Sequence, residues 1–372
     1  MTNMILRPDC RHFPGDRPCQ PNKEFGQTCP DCPQYETQGH RILILKLAAL
    51  GDVLRTTAIL PGIKEQFPHS YIVWITLNSA RELLKGNPLI NELWTLESDA
   101  LPRLAVEEFD LVLNPDADKL VAGLASAAKA KEKRGLLLNP HGSVTPANPE
   151  AVEWLEMGAF DQRKKQNQKS YQQLIYEMLR LNYSKQEVVF AQKPSERDWA
   201  NRFLREQGFK PKEKLVGINL GGGGRWKKKR WKQDHFAALA RAMASRRQTK
   251  VLLIGGEQEK ALLEEMKAGL PPEVLSSGPN RSLRETAALI GQCDVLLTGD
   301  TLAFHLATAL KVPTIVVLGP TSASELELYG RGEKIISPIE CVGCYLADCD
   351  LDPDCMQLIL PDAVIKAVKK WI

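Results

Sequence analysis

An apolar run, a short polar turn carrying an aspartate, and a helical segment follow one another twice in this sequence. The first copy is Arg41-Ile-Leu-Ile-Leu-Lys46-Leu47, then Ala48-Ala49-Leu50-Gly51-Asp52, then residues 53–60. The second is Val295-Leu296-Leu297, then Asp300 and Thr301 opening residues 300–310, with another apolar run, 312–318, behind it. In an open parallel sheet, ligands bind beyond the carboxyl ends of the strands, and the free amides of the following helix favour an anion. Either aspartate can also be read as a helix cap. Two such units so far apart in sequence predict two α/β domains whose strand ends face one cleft.

The length of 372 residues agrees with two domains, because single cores stop growing at about 250 to 300 residues. A hydrophobic share of 43% with 25% charged residues is ordinary for a globular protein. A net charge of +4 makes no case for nucleic-acid binding by itself, but it suits anionic small ligands or an anionic membrane surface. No apolar run approaches the length of about 18 residues needed for a spanning helix, and the first ten residues lack the apolar core of a secretion signal. The expectation is a cytoplasmic protein with reduced cysteines, able to touch the inner face of the cytoplasmic membrane peripherally.

Along the chain, residues 1–39 form an extension with too few apolar residues for a core of its own. Residues 40–195 read as the first α/β domain, with strands at 41–47, 71–76, 93–94 and 111–113 and helices near 53–60, 79–85 and 171–181. Residues 139–170 are irregular in this reading and end in a basic loop at 163–169. A connection with a helix near 196–207 leads to the second domain, 210–335, with strands at 215–220, 251–254 and 274–275 and helices at 233–245 and 282–291. Residues 336–372 hold a cysteine group and an amphipathic closing helix.

Gly221-Gly222-Gly223-Gly224 can bring backbone amides close to a phosphate because no Cβ intervenes. The cations of residues 225–232 follow directly and suit the neutralisation of a diphosphate leaving group. A basic run holding two tryptophans is also compatible with a nucleic-acid patch. Cys10, Cys19, Cys29 and Cys32 form one group of four thiols with a C-x2-C pair, and Cys341, Cys344, Cys349 and Cys355 form another. Each group has the ligand count of a structural zinc site or an iron–sulfur cluster. Two sites, one shared site, and reduced metal-free thiols all remain open. Cys293, placed in an apolar strand, reads as core.

Four stretches taken together resemble glycosyltransferase family 9, the inverting ADP-heptose:lipopolysaccharide heptosyltransferases. They are Lys46-Leu-Ala-Ala-Leu-Gly-Asp-Val-Leu54, Gly217-Ile-Asn-Leu-Gly-Gly222, Lys229-Arg230-Trp231 with Asp234-His235-Phe236, and residues 300–310 with Gly319-Pro320-Thr321. The resemblance implies a GT-B fold: two Rossmann-like domains facing a central cleft, with the C-terminal helix crossing back onto the first. It implies an ADP-heptose-like nucleotide-diphosphate sugar bound mainly by residues 215–321, and a lipopolysaccharide-core, other glycan or lipid-linked acceptor facing residues 41–190. It assigns Asp52 as general base and Lys229 to the donor's phosphate or sugar, with no cofactor for catalysis. Gly51, Gly221, Gly222, Asp300, Thr301 and His305 fall on its donor and turn motifs, and Glu257 is matched to the ribose, with Glu259 competing for that place. Leu302 stands where many members have glycine, and Ala48 where many have serine. Some members carry the C-terminal cysteine group, whereas the N-terminal one lies outside the general pattern. Readings from other classes are a non-catalytic sugar-nucleotide-binding scaffold and a metal-stabilised nucleic-acid-binding protein using residues 225–232.

Overall fold

The computed structural model describes residues 5–222, 227–346 and 348–372. The extension holds one short helix, α1 (Gln20–Phe25). The first domain runs β1 (Arg41–Leu45), α2 (Leu50–Thr56), α3 (Ile59–Gln66), β2 (Tyr71–Thr76), α4 (Arg81–Leu84), β3 (Glu92–Thr95), α5 (Ala100–Val106), β4 (Glu108–Asn114), α6 (Lys119–Ala127), β5 (Lys129–Leu138), β6 (Val144–Pro146), α7 (Val152–Ala159), α8 (Asp161–Gln166) and α9 (Tyr171–Met178). Helix α10 (Pro194–Glu206) leads into β7 (Lys214–Asn219), α11 (Gln233–Ala244), β8 (Thr249–Ile254), α12 (Lys260–Ala268), β9 (Leu275–Ser276), α13 (Leu283–Ile290), β10 (Val295–Thr298), α14 (Leu302–Ala309), β11 (Thr314–Leu318), β12 (Gly332–Ile336) and α15 (Pro361–Lys370).

The two sheets share one plan. The first has the order β3-β2-β1-β4-β5-β6 and the second β12-β11-β10-β7-β8-β9. All pairings are parallel except that of β5 with β6. Strands β1 and β2 are continuous runs of Ile, Leu, Val and Trp because helices cover both faces, which is the signature of a buried parallel sheet. Strand order reverses between β1 and β4 in one sheet and between β7 and β10 in the other. At each reversal the following helices leave to opposite faces and open a crevice at the strand ends. The two aspartate turns lie after β1 and β10, so each sits at its own sheet's crevice.

An apolar seam joins the halves. Leu54, Ala58 and Leu83 of the first domain pack in one cluster with Leu289, Ile290, Ala303 and Leu306 of the second. Polar ties reinforce it: the Tyr171 amide donates to the Glu325 carbonyl at 3.1 Å, Tyr329 Oη to the Gln186 carbonyl at 2.9 Å, and Arg331 pairs with Glu187 at 2.9 Å.

Several expectations need correcting. Residues 139–170 are not irregular: they contain β6, α7 and α8, and Arg163, Lys164 and Lys165 lie in the last turn of α8. Helix α15 does not return to the first domain. Its apolar stripe, Val364, Ala367 and Val368, is buried in the second domain's cluster with Trp231, Phe236 and Met243, where that domain's own outer face still needed covering. Cys293 is buried, yet it lies in the turn before β10, with its Sγ against Gly217. Strand β5 escapes the sequence reading because Lys129, Lys131 and Glu132 at its start are charged and exposed. Among the described residues, no helix is long and apolar enough to cross a membrane.

Candidate active site

A cleft of about 650 Å³ opens between the domains, lined from one side by Gly51, Asp52, Arg55 and Trp154 and from the other by Lys229, Asp300, Thr301 and His305. The two turns therefore look at each other across one space.

Asp52 lies in the first turn of α2, three residues past Ala49 at the N-cap, and so does not cap the helix itself. Its Oδ1 pairs with Arg55 Nη2 at 2.8 Å, and its side chain keeps 37% of its exposure. Burial pushes its pKa up, but Arg55, Lys46, His305 and the Ala49 amide outweigh that and hold the carboxyl below the ordinary aspartate value. Arg55 is fixed on three sides. Its guanidinium stacks 3.5 Å from the Tyr171 ring centroid, Glu325 Oε2 lies 3.8 Å away, and Tyr171 Oη is itself bonded to Thr56 Oγ1 at 2.7 Å. Lys46, buried at the end of β1, reaches Asp116 Oδ2 at 2.8 Å just beyond β4, so this ion pair spans the first sheet's crevice.

On the second-domain side, Lys229 Nζ meets Asp300 Oδ2 at 3.0 Å. Burial raises the pKa of Asp300, and Lys229 and His305 more than offset that, leaving it ionised well into acid. Thr301 Oγ1 caps α14 by accepting from the Ala303 amide at 3.2 Å, and Asn219 Nδ2, at the end of β7, donates to the same oxygen at 3.2 Å. His305, one turn into α14, presses on Gly51: a Cβ at residue 51 would stand 2.8 Å from His305 Cδ2. Burial first, and then Arg55, lower the His305 pKa to about 4, against the opposing pull of Asp300 and Asp52. The imidazole is therefore neutral at ordinary pH.

The remaining candidates are placed differently. Gly221, Gly222 and Glu257 do not line the cleft. Gly221 sits beside Asn219 and Glu259, and Gly222 lies against Arg230. Glu257 is exposed, whereas Glu259 is buried, accepts from the Gly256 amide at 3.2 Å and pairs with Arg230 at 3.4 Å. Gly223, Gly224, Arg225 and Trp226 lie outside the described residues. Further along the basic run, Lys228 and Lys232 both bind Asp354, at 3.2 and 3.0 Å.

Cys10, Cys19, Cys29 and Cys32 line a single small cavity in the extension. In the C-terminal group, Cys355 is buried, and its thiol is pushed up to about 11 by burial, by Asp354, and by Cys344, Cys349 and Cys341. Among the described residues, no three His, Cys, Asp or Glu side chains are arranged so that they could hold a metal ion as they stand.

Arg55, the Lys46–Asp116 pair, Glu325, Tyr171 and Trp154 escaped the sequence reading. Arg55 had a signal, because a cation three residues after a helical Asp faces the same way. Glu325 and Trp154 had none, since they arrive from loops and helices remote in sequence.

Residues 102–353 match the sequence model of Glycosyltransferase family 9 (heptosyltransferase). Lipooligosaccharide heptosyltransferase 2 of Campylobacter jejuni is 26% identical over 165 residues, covering 42% of this chain and 51% of that protein. The chain thus spans about half the length of this curated relative. Among solved structures, a glycosyl transferase family 9 protein from Veillonella parvula has a TM-score of 0.70 at 19% identity, over 89% of this chain and 97% of that one. The E. coli heptosyltransferase WaaC, solved with ADP-2-deoxy-2-fluoro heptose, has a TM-score of 0.57 at 17% identity, over 89% and 99%. At these identities the structural likeness speaks for the fold, two α/β domains of GT-B type.

Proposed function

Because the chain belongs to glycosyltransferase family 9, the heptosyltransferase family, we propose that it is an inverting glycosyltransferase. It moves a sugar, heptose before others, from an ADP-heptose-like nucleotide-diphosphate donor to a hydroxyl of a lipopolysaccharide-core or other glycan acceptor. The observation that carries this reading is the pairing of the two aspartate turns, one from each domain, across a cleft of about 650 Å³.

In this mechanism Asp52 is the general base. Its lowered pKa keeps it ionised, and it takes the proton from the acceptor hydroxyl as that oxygen bonds to the anomeric carbon. The bond from that carbon to the diphosphate breaks on the opposite face, and the nucleoside diphosphate leaves with the electron pair. A diphosphate is a good leaving group once its charge is met, so positive charge in place before the reaction supplies the stabilisation. Lys229 and the amides at the start of α14 stand on that side of the cleft, and Arg55 stands beside the base. Asp300 accepts from Lys229. It holds the lysine in place, and the lysine in turn offsets its negative charge where it lines the cleft.

The described part of the basic run is assigned to ion pairs within the chain rather than to nucleic acid, because Lys228, Lys229, Arg230 and Lys232 each meet a carboxylate of the same chain. The C-terminal thiols Cys341, Cys344, Cys349 and Cys355 would hold a structural metal beside Gly319, where a Cβ would meet Cys355 Sγ at 2.5 Å, and take no part in transfer. The site of action is the cytoplasm, with the acceptor at the inner membrane face.

Release of nucleoside diphosphate from ADP-heptose with a lipopolysaccharide-core acceptor tests the reading. Asp52→Asn keeps donor binding and the melting temperature while turnover drops by at least two orders of magnitude. Turnover equal to wild type would remove Asp52 from the role of base, and donor binding without transfer to any acceptor would favour a non-catalytic binding protein.

A further inference from the structure

Residues 5–39 hold their shape without a core. Ile5, Leu6 and Phe25 are exposed, and the only buried residues there are Cys10 and Pro21. Secondary structure amounts to α1 and an isolated bridge from Cys10 to Thr37. Yet the path is defined, by the Arg11 amide on the Glu36 carbonyl at 2.8 Å and the Gln38 amide on the Asp9 carbonyl at 2.9 Å. The segment also leans on the first domain: Arg11 and Glu36 come near enough to Lys64 of α3 to act on its charge. A chain of this length with almost no buried apolar surface needs a disulfide, a metal or another covalent staple to stay folded.

The thiols are gathered where such a staple would act. Cys10, Cys19, Cys29 and Cys32 come from across the segment, and all four line one cavity of about 30 Å³. None is in a disulfide. Three stand at hydrogen-bonded turns, with the Phe13 amide on the Cys10 carbonyl, Lys23 on Cys19 and Tyr35 on Cys32, at 3.0, 3.0 and 3.1 Å. No Asp or Glu lines the cavity, and Asp9, next to Cys10, is engaged by Arg7 and Tyr35.

We propose that Cys10, Cys19, Cys29 and Cys32 close on a single divalent metal ion of the zinc class, which folds the extension against α3 as a small metal-held module. Four thiols complete the shell of a single tetrahedral ion, so one ion suffices to close the cavity they line. The donor set argues for a thiophilic ion, since four thiols with His12 nearby and no carboxylate in the lining suit zinc rather than calcium or magnesium. The sulfurs as they stand are not at ligand distance from a common centre, so binding draws them inward. Each thiol gives up its proton as its sulfur bonds to the ion, four protons for one M²⁺, and no electron is transferred.

The test is metal analysis of the full chain, wild type against Cys29→Ser/Cys32→Ser, after growth with zinc and dialysis. Wild type carries one more equivalent of zinc than the variant, whatever the C-terminal thiols hold. Titration of the metal-free wild-type chain with Co²⁺ gives the intense visible bands of a tetrahedral thiolate site, and the double variant loses them for one equivalent. Limited proteolysis supplies a readout independent of stoichiometry: the double variant is cut within residues 5–39 faster than wild type, while residues 40–372 are cut alike in the two. Equal metal content in the two proteins, or a cobalt spectrum unchanged by the substitutions, overturns the proposal. Bands and absorbance of an iron–sulfur chromophore in the wild-type chain overturn it in favour of a cluster.

Discussion

His305 makes the stability of the interdomain contact depend on pH in a calculable way. Its imidazole is 6% exposed and pressed on Gly51, and burial lowers its pKa from 6.5 to about 4. The unfolded chain therefore binds a proton near pH 6.5 that the folded chain refuses until about pH 4. The stability is fully present above the unfolded value, is lost progressively as pH falls toward 4, and then levels off. A shift of this size corresponds to about 3 kcal/mol in all, of which about 2 kcal/mol is lost by pH 5. Asp300 and Asp52, the acids facing the ring, both have lowered pKa values and stay ionised through this window. The perturbation is His305→Gln, which removes the titration and keeps a side chain of similar reach. Urea unfolding of both proteins at pH 7 and pH 5, followed by tryptophan fluorescence, separates this term from groups remote from the ring, because those titrate alike in the two. The wild type should lose about 2 kcal/mol more than the variant between the two pH values. Equal losses, or a smaller loss in the wild type, would show that the imidazole is not held neutral by burial and that the closed seam is misjudged.

Two further outcomes follow from the same cleft. Arg55→Met takes away the cation 2.8 Å from Asp52; with Asp52 partly exposed, screening limits the effect to about one pKa unit, so the acid limb of kcat/KM moves up in pH by about that much, and a limb that stays put dissociates Arg55 from the base. Gly51→Ala puts a methyl 2.8 Å from His305 Cδ2 across the seam, which should cost about 1 to 3 kcal/mol and lower the melting temperature together with turnover; a variant as stable and active as wild type would show that the domains separate there freely.

The parts of the molecule legible from sequence are those in which local pattern and final environment agree. Strands β1, β2 and β10 lie inside parallel sheets, and a strand covered on both faces must be apolar throughout. The turns bearing Asp52 and Asp300 follow such strands directly, which is why both stood out as candidates before it was known that they line one cleft. Strands β5 and β12 lie outside those central strands and keep charged or half-exposed residues, so their sequences look like loops. Helix α15 announced its apolar stripe, yet nothing in the stripe says which domain receives it.

Asp52 and Asp300, the strand runs behind them and the two groups of four thiols are written in the order of the residues, because each depends only on neighbours along the chain. The tertiary structure alone decided that Arg55 is clamped by Tyr171 and Glu325, that Lys46 spans the crevice to Asp116, that Glu259 rather than Glu257 is buried beside Gly221, and that His305 is neutral against Gly51. Those facts turn on burial and on charges brought together from distant segments. A side chain's pKa and partners are set by the dielectric and the groups around it in space, and neither is fixed until both domains have closed on the same cleft.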